Sequence, residues 1–203
     1  QNPPKNRKKF PDAMPADADL AIFPELCFSG FTMDPRPDPG AEPFLRELAA
    51  GRHVAIVAGF IAEGPRNRAI AVAANGEVVA RYDKIHMFDV QIDAQETFRE
   101  SAGYRPGTQA VVARTDFATI GMTVCYDMRF PMLHNALARK GAEILTSPAA
   151  FSPVTGAAHW HALLRARAIE NGCFVLAPAQ TGEHASAKNR TRRTYGHSLV
   201  VSP

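Results

Sequence analysis

Ile120-Gly-Met-Thr-Val-Cys-Tyr-Asp-Met-Arg-Phe-Pro131 joins an apolar run to a polar turn, and its proline opens the next segment. Proline suits the first turn of a helix, where its missing N–H costs nothing. The spacing predicts a strand over Thr119–Val124 and a helix over Pro131–Lys140, with Met132, Leu133, Ala136 and Leu137 on one face and Gly141 as its stop. Cys125 then sits where a buried strand passes into a helix. Backbone N–H groups at such a turn carry partial positive charge that favours a thiolate. Taken alone, the residue reads as a small core cysteine.

Outward from this stretch, short apolar runs alternate with helical patterns. Leu20–Phe23 is a strand ended by Pro24-Glu25, Phe31–Pro43 a proline-rich loop, Pro43–Ala50 a short helix and Val54–Phe60 a fully apolar strand. Ala69–Ala73 and Glu77–Tyr82 flank Asn75-Gly76, a strong hairpin signal. Residues 86–109 form a long loop holding Glu96 and Glu100, and loops of that length in compact domains are usually functional or mobile. Ala110–Arg114, Glu143–Ser147, Phe174–Ala177 and Ser198–Val201 complete the strands, with a helix over Ala158–Asn171 whose apolar positions are Leu163, Leu164, Ala168 and Ile169. A polar, basic loop precedes the last strand. The pattern is layered α/β with a sheet buried on both faces.

The composition, 46% hydrophobic and 21% charged over 203 residues, is that of one globular domain. No apolar run approaches a membrane span, and the polar, basic first ten residues do not read as a secretory signal. Cys27, Cys125 and Cys173 are odd in number and far apart, which argues against a disulfide framework or zinc knuckle and for a reducing compartment, the cytoplasm. The formal charge of +3 hides two basic runs: Lys5, Arg7, Lys8 and Lys9, then Lys188, Arg190, Arg192 and Arg193. Without those eight, 15 basic side chains face 20 acidic ones. No aromatics interleave the runs, so they read as a solvated terminus and a solvated loop rather than a nucleic-acid surface. Residues 1–17, with four prolines, read as an extended or disordered arm, and 18–203 as the domain.

Glu25, Lys84 and Cys125 each end a separate strand. Sheets gather strand ends, and active sites of α/β folds form there. A thiolate, a carboxylate that moves protons and an ammonium that holds an oxyanion together make a hydrolase. A Cys–His dyad using His86, His159 or His197 is the competing arrangement. His159-Trp160-His161 does not read as a metal site, because adjacent helix positions face apart. Asp127 and Arg129 read as a structural ion pair, and Cys27 and Cys173 as core or supporting residues.

Phe23-Pro24-Glu25, Arg81-Tyr82-Asp83-Lys84-Ile85-His86 and Val124-Cys125-Tyr126-Asp127-Met128-Arg129-Phe130-Pro131 resemble the three signature blocks of the carbon–nitrogen hydrolase (nitrilase) superfamily. The likeness runs through Phe98-Arg99-Glu100-Ser101, Tyr104-Arg105-Pro106-Gly107, Pro148–Trp160, Leu164–Asn171 and Tyr195–Pro203, covering about residues 18–203. It is greatest for the deaminated glutathione amidase and omega-amidase branch. The resemblance implies an αββα sandwich, here short at both termini, and no cofactor or metal. It implies Glu25 as general base, Lys84 as oxyanion stabiliser, Cys125 as nucleophile and Glu100 as a second glutamate positioning Lys84. The Tyr126 backbone N–H would be a further oxyanion donor. Tyr126, Phe151, His159 and Trp160 are the candidate substrate-binding residues. The implied reaction is hydrolysis of a small carboxylate-bearing amide through a cysteine thioester with release of ammonia, by a homodimer or higher homo-oligomer with no nucleic-acid or membrane partner. Other chemistry of the superfamily (nitrilase, carbamoylase, acyl transfer) and a truncated, non-catalytic interaction module are the alternatives.

Overall fold

A computed structural model describes residues 7–15, 17–30, 35–91, 97–185 and 191–203. Strands β1 (Leu20–Ile22), β2 (Ala55–Ala62), β3 (Arg66–Val72) and β4 (Val78–Asp83) form one sheet in that order. A second sheet runs β13-β10-β9-β8-β7, from β7 (Val112–Arg114), β8 (Thr119–Met122), β9 (Ile144–Thr146), β10 (Phe174–Ala177) and β13 (Leu199–Val201). Helix α1 (Ala41–Arg52) accompanies the first sheet, and α2 (Pro131–Arg139) and α3 (Pro153–Asn171) the second.

Strand periodicity sets the layers. In β2 and β3, Ile56, Ala58, Phe60, Ala62, Ile70 and Val72 pack with Leu45, Leu48 and Ala49 of α1. The alternate positions Val57, Ala69 and Ala71 join the core shared with Ile120, Met122, Leu145 and Val175 of the second sheet. Period-two alternation with apolar residues on both faces is what a sheet sandwiched between a helix and another sheet requires. The same central core reaches Leu133 and Leu137 of α2 and Trp160, Leu164 and Ala168 of α3, which makes the order helix, sheet, sheet, helix.

Pairing directions bring the reactive strand ends to one edge. β1 is parallel to β2, β2 antiparallel to β3, and β3 antiparallel to β4. The carboxyl ends of β1 and β4, followed by Glu25 and Lys84, therefore lie beside the start of β3. The hairpin at Asn75-Gly76 forms as its sequence predicts, with Gly76 at φ +85°.

Several expectations change. The arm is folded over Arg7–Pro15: Phe10 stacks between Phe23 and Phe28, Met14 is buried, and Pro11–Ala13 is a 3-10 turn. Two apolar side chains in the run outweigh its charge, and Arg7 pairs with Asp38 and lies over the Phe28 ring rather than in solvent. Residues 1–6, with Lys5, fall outside the described residues. The loop 86–109 contains a two-stranded ribbon, β5 (Asp89–Gln91) with β6 (Thr97–Arg99), and a 3-10 turn, Glu100–Ala102. The polar loop before β13 contains a hairpin, β11 (Thr181–Ala185) with β12 (Thr191–Tyr195). Met132 and Ile169, predicted on buried helix faces, are 78% and 70% exposed. Each falls one residue, about 100°, off a face centred on Leu133 and Leu137 or on Leu164 and Ala168.

Gly107 pins the end of β4. Its N–H donates to the Lys84 carbonyl at 2.8 Å, and a Cβ there would lie 2.1 Å from the Asp83 carbonyl oxygen. Gly107→Ala is expected to cost roughly 3 kcal/mol by forcing the backbone apart, a fall in Tm on the order of 10 °C. Gly51→Ala, in open space on α1, is expected to raise stability by about 0.5–1 kcal/mol. Thermal unfolding of the two variants checks the contrast; equal effects would contradict it.

Candidate active site

Lys84 leaves β4 pointing into the protein and is 1% exposed. Its Nζ lies 2.8 and 3.0 Å from the two carboxylate oxygens of Glu100 and 3.2 Å from Glu25 Oε1. Burial alone would discharge the amine, but the adjacent Glu100 and Glu25 carboxylates outweigh it and hold the pKa above the ordinary lysine value. Glu100 arrives on the 3-10 turn after β6, fully buried, with Oε2 accepting from the Phe88 N–H at 2.7 Å. Glu25 follows Pro24 at the end of β1. Its Oε2 accepts from the Ala150 N–H at 3.0 Å, which ties the first sheet to the segment after β9. Asn67, at the start of β3, places its amide nitrogen 2.8 Å from Glu25 Oε1 and 3.3 Å from Glu100 Oε1.

Cys125 opens a 3-10 turn, Cys125–Arg129, directly after the second-sheet strand β8 and its extension. Its φ is +49°, a left-handed conformation disfavoured for a side chain with a Cβ. The backbone is held there by the Cys125 N–H to the Pro148 carbonyl at 2.9 Å. Burial raises the Cys125 thiol pKa well above its usual value. Glu25 raises it further by its charge and by hydrogen bonding to the thiol, against the opposing pull of Lys84. Burial and the Glu25 side chain thus both favour the thiol over the thiolate at Cys125. The Tyr126 N–H lies in the first turn, where helix donors lack an intrahelical acceptor.

Asp127 locks the Cys125 turn to the Lys84 strand. Its buried carboxylate accepts from Tyr82 Oη at 2.6 Å, from the Val124 N–H at 2.9 Å and from the His86 N–H at 3.0 Å, and meets His86 Nδ1 at 2.7 Å. The His86 ring stacks on Phe130 at 3.6 Å. Asp127 is therefore not the partner of Arg129, as the sequence suggested. Its charge is satisfied from β4, while Arg129 lies over the Tyr126 and Phe151 rings with His159 Nδ1 at 3.1 Å. The histidines of the alternative dyad are engaged elsewhere: His86 on Asp127, His159 on Arg129, and His197 Nδ1 with the Tyr195 carbonyl.

A narrow cleft above the thiol is lined by Lys84, Phe88, Cys125, Phe151, Thr155 and Arg192, with Ala150 and Ser152 beside them. Of the predicted substrate contacts, only Phe151 is in this lining. Trp160 is fully buried behind it, 5.1 Å from the Phe151 ring, with its indole N–H donating to the His197 carbonyl. His159 is exposed on Arg129, and the Tyr126 ring packs edge-on against Phe88 and Phe130. Sequence reasoning missed Asn67, which sits between Arg66 and Arg68 just ahead of the predicted strand Ala69–Ala73 and reads there as a solvated polar residue. It also missed Arg192, hidden in a basic run: its Nη2 donates to the Ala150 carbonyl, and its guanidinium lies over the Phe98 ring. Glu96, Lys188 and Arg190 fall outside the described residues. Among those residues, no cluster of three or more His, Cys, Asp or Glu side chains could hold a metal, and no helix is long and apolar enough to cross a membrane.

The family model "Carbon-nitrogen hydrolase" matches residues 7–203. The chain belongs to the carbon–nitrogen hydrolase family. Its curated relatives include the deaminated glutathione amidase of Yersinia enterocolitica, 58% identical over 62% of this chain and 43% of that protein. The enzyme of the same name from Synechocystis sp. is 43% identical over 80% of this chain and 61% of its own length. The chain thus spans about half the length of these relatives. Among solved carbon–nitrogen hydrolase structures, Saccharomyces cerevisiae Nit3, of branch 10 of the nitrilase superfamily, superposes with a TM-score of 0.83 at 27% identity, covering 99% of this chain and 77% of that one. An amidase from Nesterenkonia sp. AN1, solved after Michael addition of acrylamide at its active site cysteine, gives 0.83 at 26% identity over 100% and 80%. The mixed α/β architecture of this chain is that of the nitrilase fold.

If Glu25 both raises the thiol pKa and serves as its base, its two effects separate on substitution. In Glu25→Gln the Cys125 thiol is expected to titrate at lower pH, because a negative neighbour is gone. Amide hydrolysis is expected to fall about 10²-fold or more, because the proton acceptor is gone too. Iodoacetamide alkylation of the Cys125 peptide across pH, followed by mass spectrometry, reads the first effect; an unchanged or higher thiol pKa would contradict it.

Proposed function

We propose that this chain carries the catalytic centre of a thiol amidase that hydrolyses the carbon–nitrogen bond of a small carboxylate-bearing amide through a thioester. The observation that carries the reading is the buried Cys125 side chain beside Glu25, with Glu25 sharing the buried Lys84 with Glu100. Glu25 takes the thiol proton as sulfur attacks the amide carbon. The oxyanion that forms is held by the Lys84 ammonium and the Tyr126 N–H. Collapse breaks the C–N bond, and Glu25 returns the proton to the departing nitrogen. A primary amide releases ammonia; a secondary amide, such as one derived from glutathione, releases an amine. Water then enters, Glu25 removes its proton, and attack on the thioester frees the acid and the thiol. Glu100 remains the counter-ion that keeps Lys84 charged.

The carboxylate preference is supported by polar groups at the wall of the cleft. The Ser152 and Thr155 hydroxyls are buried and find no hydrogen-bond partner among the described residues. They lie at the start of α3, whose N-terminal N–H groups favour an anion. Arg129, over Phe151, has no carboxylate partner among the described residues. The names of the curated relatives support deaminated glutathione as the substrate, and the resemblance to the omega-amidase branch makes an omega-amide such as α-ketoglutaramate the alternative. Three free thiols suit a reducing, cytoplasmic setting, and the family resemblance supports a homodimer.

Cys125→Ser is expected to abolish hydrolysis of both amides. Lys84→Met, which removes the oxyanion donor and leaves two carboxylates facing each other, is expected to lower kcat by at least ~10²–10³. Release of α-ketoglutarate, measured by a coupled assay, checks both; turnover persisting in Cys125→Ser would refute the nucleophile assignment.

A further inference from the structure

Asn67 is 1% exposed at the second residue of β3. Its amide nitrogen faces Glu25 Oε1 and Glu100 Oε1, the same oxygens that lie 3.2 and 3.0 Å from Lys84 Nζ. One ammonium and one amide thus close a ring with two carboxylate oxygens. An NH2 group carries two hydrogens, one for each carboxylate. The reverse orientation would set the amide oxygen against two anionic oxygens, so the contacts themselves fix it. The Asn67 Oδ1 atom is buried and has no hydrogen-bond partner among the described residues, a cost accepted for donating twice. The Asn67 carbonyl accepts from the Lys84 N–H at 2.9 Å, so the amide is fixed relative to the lysine backbone.

One cation cannot fully compensate two buried carboxylates, and without further donors one of them takes up a proton. Each carboxylate has one backbone donor, Phe88 N–H for Glu100 and Ala150 N–H for Glu25, but Lys84 engages Glu100 through both oxygens and Glu25 by a single, longer contact, while the shorter Asn67 contact, 2.8 against 3.3 Å, falls on Glu25. Glu25 is therefore the carboxylate that depends on Asn67. We propose that Asn67 is a positioning residue that keeps Glu25 ionised and aimed at Cys125 while Glu100 keeps Lys84 charged. The inference rests on the reading of Glu25 as the base. The other charged or titratable groups around Glu25 are Lys84 from β4, Glu100 from its 3-10 turn, Cys125, the buried Tyr104, and Arg192 from β12. Asn67 is neutral, so its amide can be removed without changing the charge count.

The test is the pH dependence of kcat and KM for α-ketoglutaramate, or for whichever amide of a panel the wild type turns over fastest, in wild type, Asn67→Ala and Glu25→Gln. In Asn67→Ala the acid limb of kcat is expected to move up by about one pH unit, with kcat at neutral pH down about tenfold and KM nearly unchanged. Asn67→Ser, which restores one donor, is expected to fall between. An acid limb that stays in place in Asn67→Ala, with activity falling only as Tm falls, overturns the inference and leaves the Glu25 reading intact. Residual Glu25→Gln activity that keeps the wild-type limb overturns that reading, and the inference with it. Failure of both Asn67 variants to fold assigns the residue to the fold and likewise overturns the proposal.

Discussion

The structure depends on one buried cation. The Lys84 ammonium has no exposed side-chain surface, and the two carboxylates that hold it come from different parts of the chain. Taking an ammonium out of water costs several kcal/mol unless it is paired and hydrogen-bonded. That requirement explains features that no single element does. Glu25 must reach it from the end of β1, Glu100 from the loop after β6, and Gly107 must let that loop pass against β4 without a side chain. Removing Lys84 would leave two carboxylates facing each other in a dry interior, and removing either carboxylate takes hydrogen-bond acceptors from the buried ammonium, so the electrostatics of the site and the stability of the fold are one problem.

A second constraint is backbone strain on both sides of the candidate site. Leu26, just after Glu25, has φ +46°, and Cys125 has φ +49°. Each left-handed non-glycine residue costs on the order of 1–2 kcal/mol. The compensation is visible at each. The Gln180 side chain donates to the Glu25 carbonyl, and the Leu26 carbonyl accepts from the Gly30 N–H at 2.8 Å. At Cys125, the Pro148 carbonyl accepts from the Cys125 N–H and the Asp127 carboxylate accepts from the Val124 N–H, which fixes the turn. The two sharp turns stand beside Glu25 and at Cys125, whose side chains meet across the gap between the sheets.

Much of this was legible in the chain. The period-two pattern of β2, the Asn75-Gly76 turn and the proline opening α2 each carry local physics that the tertiary structure did not override. Glu25, Lys84 and Cys125 could be singled out as strand-end residues, and their signature blocks linked them. What could not be read depends on contacts between distant segments. Asp127 and Arg129 are two residues apart, yet Tyr82 and His86, over forty positions away, decide the partner of Asp127. Phe10 looked like part of a charged arm because nothing local shows that Phe23, Phe28 and Phe44 are waiting for it. Arg192 sat in a basic run, and only the β11–β12 hairpin turns it into the cleft.

The central claim is that Cys125 is acylated during turnover. Rapid acid quench of wild-type protein mixed with excess α-ketoglutaramate, followed by proteolysis and mass spectrometry, tests it most directly. The account predicts an acyl group on the peptide carrying Cys125, absent from Cys27 and Cys173, that forms and decays at rates compatible with steady-state turnover. Turnover with no adduct on Cys125, or an adduct confined to another cysteine, would contradict it.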